Sequence, residues 1–172
     1  VVCGHWDRTP RLGALALSGE IEAYNLPQGV ITHMYRDIAA HNPATFSKVG
    51  LHTFVDPRLE GGKLNGRTKE DLVKLVEVEG QECLLYRCFP INAVFLRASW
   101  ADEYGNCTAH REIGPTDLTA MAQACRNSGG KVIVQVEKIV AGGTLDPKLV
   151  VIPGIYVDAL VVGSETEHQQ CM

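Results

Sequence analysis

Glu22-Ala23-Tyr24-Asn25-Leu26-Pro27-Gln28-Gly29-Val30-Ile31-Thr32-His33-Met34-Tyr35-Arg36 reads as the end of a strand, a tight polar loop and the start of a helix. Residues 21–24 suit a short strand that ends at Asn25. Pro27 fixes its own φ and biases Leu26 toward an extended backbone. Gly29 permits backbone geometry that other residues reach only at a cost. Beyond it Val30, Ile31, Met34, Tyr35 and Ile38 recur at helical spacing, which predicts a helix to about residue 40, stopped by His41-Asn42-Pro43. Gln28 is thereby expected on a loop at the carboxyl end of a strand, where open α/β sheets hold ligands.

Outward from this stretch the same alternation continues. Val1-Val2-Cys3-Gly4 resembles the end of a buried strand rather than a natural amino terminus, so part of a domain is expected to precede it. A short helix is predicted over residues 10–18, with Thr9 as N-cap, Pro10 at its first position and Gly19 ending it. A strand broken at Gly50 is expected within 46–54, followed by a long polar loop from Asp56 to Gly66. Residues 72–78 and 83–86 flank Glu79-Gly80-Gln81-Glu82 as a hairpin, although 72–75 could instead extend a helix begun at Thr68. The apolar run 91–96 suits a buried strand, 101–106 a turn, and 118–127 a helix capped by Thr116 with Asp117 and ended by Gly129-Gly130. Residues 131–136 are the clearest strand, Gly142-Gly143 marks a turn, and 150–152 and 156–162 are the last strands. The order implies an α/β fold: an open, largely parallel sheet with helices packed on it. Residues 1–163 are expected to form one incomplete α/β domain and 164–172 a polar tail or linker.

The chain has 172 residues, 45% of them hydrophobic, enough to bury a core. A net charge of −4 without a basic run argues against nucleic acid or an anionic membrane as partner. The apolar segment from Val132 is broken by Glu137 and Lys138, short of a transmembrane span. Cys3, Cys83, Cys88, Cys107, Cys125 and Cys171 form no C-x-x-C pair and stand beside no histidine at metal-ligand spacing, which fits a reducing, cytoplasmic setting.

Several chemistries are excluded by pattern. Gly61-Gly62-Lys63 is not a nucleotide P-loop, and there is no G-x-G-x-x-G, G-x-S-x-G or H-x-x-x-H. Asp102 and Glu103 are adjacent and so point apart, a poor acid/base pair and more simply a solvated turn. Glu137 is the better candidate carboxylate; the alternative is a pair with Lys138 or another surface cation. His52 could bind an acyl carboxylate or be structural, and His33 with Arg36 could face solvent or a partner subunit. Gln28 stands apart: a primary amide carries two donors and an acceptor, and the free N–H groups of a helix start converge beside it.

Longer motifs carry a resemblance. Asn25-Leu26-Pro27-Gln28-Gly29, Tyr35-Arg36-Asp37-Ile38-Ala39-Ala40, Thr53-Phe54-Val55-Asp56-Pro57-Arg58, Gly61-Gly62-Lys63 with Asn65, and Phe89-Pro90-Ile91 are among them. Ala101-Asp102-Glu103 with Gly105-Asn106, Asn127-Ser128-Gly129-Gly130, Val134-Gln135-Val136-Glu137, Gly143-Thr144-Leu145-Asp146-Pro147 and the run Val151 to Asp158 complete the set. In this order, from about Gly4 to His168-Gln169-Gln170, the chain resembles the family I CoA-transferases of the acetate/propionate type.

The resemblance implies a fold of two similar open α/β domains, of which this chain is similar to most of the first. It implies CoA transfer between a short-chain acyl-CoA and a carboxylate, through a covalent glutamyl-CoA intermediate on a glutamate of the second domain. The motif of that glutamate, an S-E-N-G-like stretch, is absent here. No catalytic residue, metal or organic cofactor is then expected in this chain, CoA and acyl-CoA being substrates. The expected partners are those substrates, the second domain and, in a homo-oligomer, further copies. The expected substrate-binding residues are Gln28, Gly29, His52 and Thr53. The chain departs from the family pattern at His52 and Asp7, both usually Gly, at Ala98-Ser99-Trp100 in place of a Gly-Thr pair, and at Asn92, usually Asp. These departures leave a non-catalytic fragment or an acyl-CoA-binding module as the alternative reading.

Overall fold

Short parallel strands joined through helices dominate both ends of the chain. The computed structural model describes residues 1–114, 116–164 and 166–168. Residues 1–37 with 42–89 form one unit, and residues 38–41 with those from 90 onward form another.

The first unit opens with a β-α-β crossover. Strand β1 (Val2–Cys3) pairs in parallel with β2 (Tyr24–Asn25), and helix α1 (Pro10–Leu17) lies between them in sequence. Pro10 takes the first helical turn as predicted, and Gly19 ends the helix region at φ 74°. Thr9 does not cap α1: its hydroxyl donates back to Trp6 O at 3.4 Å. The strand expected over 21–25 shrinks to two residues. Helix α2 (Gln28–Ala39) then starts earlier than the spacing predicts. Pro27 O accepts from Val30 N at 2.9 Å and Ile31 N at 3.1 Å, so the first turn closes over Gln28. Gln28 is therefore the first residue of the helix, not a loop residue. The apolar stripe buries Val30, Ile31 and Met34, while His33 and Arg36 are exposed.

Strands β3 (Ala44–Ser47), β4 (Val73–Val78) and β5 (Gln81–Arg87) form an antiparallel sheet in the order β3-β5-β4. The hairpin turn is two residues, Glu79 and Gly80, at φ 50° and 71°. A turn with both central residues left-handed matches the twist of the flanking strands. Gln81 and Glu82, expected in the turn, are thus drawn into the ladder opposite Val78 and Glu77. Leu26, Val30, Met34, Val55, Leu72, Val73, Leu84 and Tyr86 pack as this unit's core.

The second unit contains β6 (Ala93–Arg97), β7 (Trp100–Asp102), β8 (Cys107–Thr108), helix α3 (Leu118–Asn127), β9 (Lys131–Val136), β10 (Lys138–Val140), β11 (Val150–Ile152) and β12 (Ala159–Val162). A parallel sheet runs β12-β9-β6, and a mixed sheet runs β10-β7-β8-β11 with β7 and β10 parallel. Val132, Val134, Val136 and Leu96 share a core with Leu118, Ala122 and Cys125 of α3. The run 91–96 is buried on that side only, since Phe95 points the other way and is 78% exposed. Helix α3 ends at Gly129 (φ 78°), and a Cβ on Gly130 would lie 2.3 Å from Ile91 O, which fixes glycine there. The fold class is the α/β arrangement read from the sequence, with parallel ladders in both units. Among the described residues the antiparallel strand pairs are β4–β5, β3–β5, β7–β8 and β8–β11.

Asp102 is not the solvated turn residue expected from its position. It is 2% exposed. Its Oδ1 accepts from Tyr104 N (3.0 Å) and Asn106 N (2.9 Å), and its Oδ2 from Asn106 Nδ2 (3.0 Å) and Gly143 N (3.3 Å). Burial alone pushes this carboxyl up. The Asn106 side chain and the backbone donors outweigh it and hold the group below the usual aspartate value.

Candidate active-site loops around the start of helix α2

The turn that leads into α2 is held from two sides. Leu26 N donates to Cys3 O at 3.3 Å, and Asn25 N donates to Gly62 O at 2.8 Å. Gly62 N in turn donates to Phe54 O at 3.0 Å. Gly62 thereby joins the 25–28 turn to the 50–56 loop, which carries His52 and Thr53. Its φ is 73°, and a Cβ there would come within 2.9 Å of Leu26 Cδ2 and 3.0 Å of Asn25 O. Asn65 secures the next part of the same long loop: Nδ2 donates to Ala16 O (2.7 Å) and Ile21 O (2.9 Å), while Oδ1 accepts from Thr68 N (3.1 Å).

Gln28 and Gly29 are exposed at the first turn of α2. Gly29 does not have the left-handed backbone its sequence position suggested. What it supplies is room, since a Cβ built on it meets nothing within 4 Å. The leading N–H groups of a helix carry partial positive charge, and a neutral amide beside them can hold a carbonyl or carboxylate oxygen.

His52 lies at φ 59°, a left-handed backbone that accounts for the glycine the resemblance leads one to expect there. Its ring is exposed, with Nδ1 3.5 Å from Arg58 Nη2. Thr53 is also exposed, and its hydroxyl donates to Gly50 O at 2.8 Å. Beneath them sits Asp56, 1% exposed and absent from the sequence-derived set. Its Oδ2 accepts from His52 N (2.9 Å) and Arg58 Nη2 (2.7 Å), and its Oδ1 from Arg58 N and Nε (both 3.0 Å). The Arg58 guanidinium first, then the His52 amide, holds the Asp56 carboxyl well below the usual carboxylate range, and Asp56 raises Arg58 in return. The available signal was the Asp-Pro-Arg sequence, where a short acid precedes a turn-forming proline and a guanidinium.

The remaining candidates separate from this cluster. Glu137 accepts from Arg111 Nη1 at 2.6 and 2.7 Å, with both side chains more than a third exposed, so the surface-cation reading holds with Arg111 in place of Lys138. Lys138 instead lies 3.6 Å over the Trp100 ring, whose other contact is an edge-on His110 at 4.7 Å. Glu103 Oε2 accepts from Gly142 N at 2.9 Å. Cys3, Cys83, Cys88, Cys107 and Cys125 are free thiols, and Cys171 lies outside the described residues. Burial, with the Asp102 charge adding, pushes the Cys107 thiol up to about 12, so it behaves as a small apolar side chain. A cleft of about 500 Å³ opens between α1 and the β2 end, lined by Trp6, Ala14, Leu17, Asn25 and Leu64 among others.

Comparison with known proteins follows the same residues. The family model described as Coenzyme A transferase matches residues 1–163. The acetate CoA-transferase YdiF of Escherichia coli (strain K12) is 48% identical over 161 residues, 94% of this chain and 30% of that protein. The caffeate CoA-transferase of Acetobacterium woodii is 50% identical over 151 residues, 88% of this chain and 29% of that protein. The crystal structure of the YdiF apoenzyme from Escherichia coli O157:H7 superposes with a TM-score of 0.92 at 48% identity, over 94% of this chain and 32% of that one. The glutaconate CoA-transferase of Acidaminococcus fermentans shares the fold, with a TM-score of 0.74 at 19% identity, over 94% of this chain and 52% of that one. The chain spans about 30% of the length of the two curated relatives.

Proposed function

The chain belongs to the coenzyme A transferase family, and from that premise we propose that it forms the substrate-positioning part of an enzyme that moves CoA between a short-chain acyl-CoA and a carboxylate. The observation that carries the reading is the Gln28 amide at the open first turn of α2, in a chain 48% identical over 94% of its length to an acetate CoA-transferase.

In this reading a glutamate outside these 172 residues attacks the acyl-CoA carbonyl. The C–S bond breaks, an acyl-glutamyl anhydride forms and CoA leaves as the thiolate. The thiolate attacks the glutamyl carbonyl, the first carboxylate departs, and a glutamyl-CoA thioester remains for the second carboxylate to reverse the sequence. No electrons are exchanged with an external donor, and no metal or organic cofactor enters. Negative charge develops on a carbonyl oxygen at each addition, and a positioned amide donor stabilises it there. Gln28 Nε2 fills that role, with the leading amides of α2 beside it and Gly29 leaving space for the substrate. His52 and Thr53 stand on the neighbouring loop, which Asp56 holds in shape.

The partners in this scheme are acyl-CoA, a short-chain carboxylate, the domain that carries the glutamate, and further copies in a homo-oligomer, working in the cytoplasm. No helix among the described residues is long and apolar enough to cross a membrane. The test is exchange between acetyl-CoA and propionate, measured for the longer protein that contains this chain and for the 172 residues alone. Exchange is expected only from the longer protein, and turnover by the 172 residues alone would refute the assignment of the nucleophile. Calorimetric binding of acyl-CoA with no exchange by the longer protein would instead make the chain a binding module.

A further inference from the structure

The Gln28 side chain lies against the backbone of Gly4, directly after β1. A Cβ built on Gly4 would stand 2.6 Å from Gln28 Oε1, 3.0 Å from Gln28 Cβ and 3.1 Å from Gln28 Cα. Both residues belong to the first unit, and their backbones are fixed beside one another. Cys3, immediately before Gly4, pairs with Asn25 across the β1–β2 ladder and accepts the Leu26 N–H. Gly4 has no left-handed backbone, so nothing in its own conformation calls for glycine. What calls for it is the space its missing side chain leaves for the Gln28 amide.

We propose that Gly4 is a positioning residue for Gln28: the absent Cβ holds open the space in which the amide rests and so fixes where its donors point. This rests on the reading of Gln28 as the group that contacts the reacting thioester. A methyl group at Gly4 would force Oε1 back by about 0.8 Å to reach the 3.4 Å of ordinary contact. The oxygen is at the free end of a flexible side chain and yields readily, whereas Cβ and Cα need give only a few tenths of an ångström. The change should therefore move the amide without unfolding the chain. A displacement approaching 1 Å in a positioning group can lower turnover by about a hundredfold.

The test is the Gly4→Ala variant of the longer protein that contains this chain, read by the nitrogen–proton cross-peaks of the Gln28 side-chain amide, assigned by their loss in Gln28→Ala. The expected result is displaced cross-peaks with the backbone amides of residues 30–37 unmoved. Unmoved side-chain peaks would overturn the proposal. If Gly4→Ala fails to fold, Gly4→Ala combined with Gln28→Gly decides it: recovered folding supports the contact, and continued failure removes it. The kinetic arm uses the longer enzyme, where Gly4→Ala should lower kcat far more than it changes KM. A displaced amide with unchanged kcat would leave Gly4 as the positioning residue and instead remove Gln28 from the reaction.

Discussion

Gly62→Ala tests whether one glycine clasps the two candidate loops together, and its cost can be worked in two parts. The φ of 73° places alanine in the left-handed region, at a cost of about 1 kcal/mol. The added Cβ would also sit 2.9 Å from Leu26 Cδ2 and 3.0 Å from Asn25 O. Leu26 is only 1% exposed, so relief must come from a shift of the Leu26 side chain against its buried neighbours or from stretching the Asn25–Gly62 hydrogen bond, at about 1–3 kcal/mol. The sum is about 2–4 kcal/mol, or a drop in Tm of roughly 5–15 °C for a chain of this size. Gly61→Ala is the internal control. Its φ is 63°, but the nearest atom to its Cβ, Pro57 Cα, lies at an ordinary 3.8 Å, so only the backbone part applies. Thermal unfolding followed by circular dichroism should rank the chains as parent, Gly61→Ala, Gly62→Ala. Equal midpoints for the two variants would refute the steric half of the reasoning and with it the clasp.

Leu84→Ala, at a fully buried position, should cost about 2–5 kcal/mol in urea unfolding. Glu137→Gln should change stability by less than about 1 kcal/mol and leave transfer by the longer enzyme unaltered, because its partner is a solvent-exposed Arg111. His52→Gly should raise Tm slightly or leave it unchanged, since the left-handed backbone favours glycine and the ring is exposed. Acid titration should show stability lost as pH falls. Asp102 is held below its ordinary value, and Asp158, by the Val132 amide and then by Lys131, at about 2. A carboxylate depressed on folding contributes fully above the unfolded-state value near 4 and loses that contribution as pH drops toward its folded value. The transition should thus begin below about pH 4, and a chain that gains stability between pH 4 and 2 would contradict the hydrogen-bond assignments.

How far the chain could be read in advance differs by element. The strand at Lys131–Val136 and the helix at Leu118–Asn127 are legible because a sustained apolar pattern agrees with the glycines that follow the helix, although the expected cap does not form: Asp117 is the N-cap residue, but its side chain makes no capping hydrogen bond. The hairpin is legible but its turn is not, because Glu79 at positive φ carries no glycine to announce it. Thr9 satisfies a composition rule for an N-cap, yet the local chain turns its hydroxyl toward Trp6 O. At the site, Gln28 and Gly29 are visible as Pro-Gln-Gly before a helical stripe. Their exact placement follows from Pro27 O closing the first turn, which periodicity does not report. Asp56 and Asp102 escape the sequence for a shared reason. Each looks like a polar turn residue, yet each is buried with four donors on its carboxylate: all from the local 52–58 loop for Asp56, and three from Tyr104 and Asn106 with one from distant Gly143 for Asp102. What the sequence does not report is the burial of both groups and the Gly143 contact across 41 residues, which are properties of tertiary structure.

The central claim, that this chain contributes the Gln28 amide to CoA transfer, is tested most directly by the kcat for acetyl-CoA and propionate exchange in the longer enzyme with Gln28→Ala. Removing one preorganised donor to a developing oxyanion predicts a fall of about 10²–10³ with an unchanged Tm. A kcat equal to that of the parent, at the same Tm, would contradict the account.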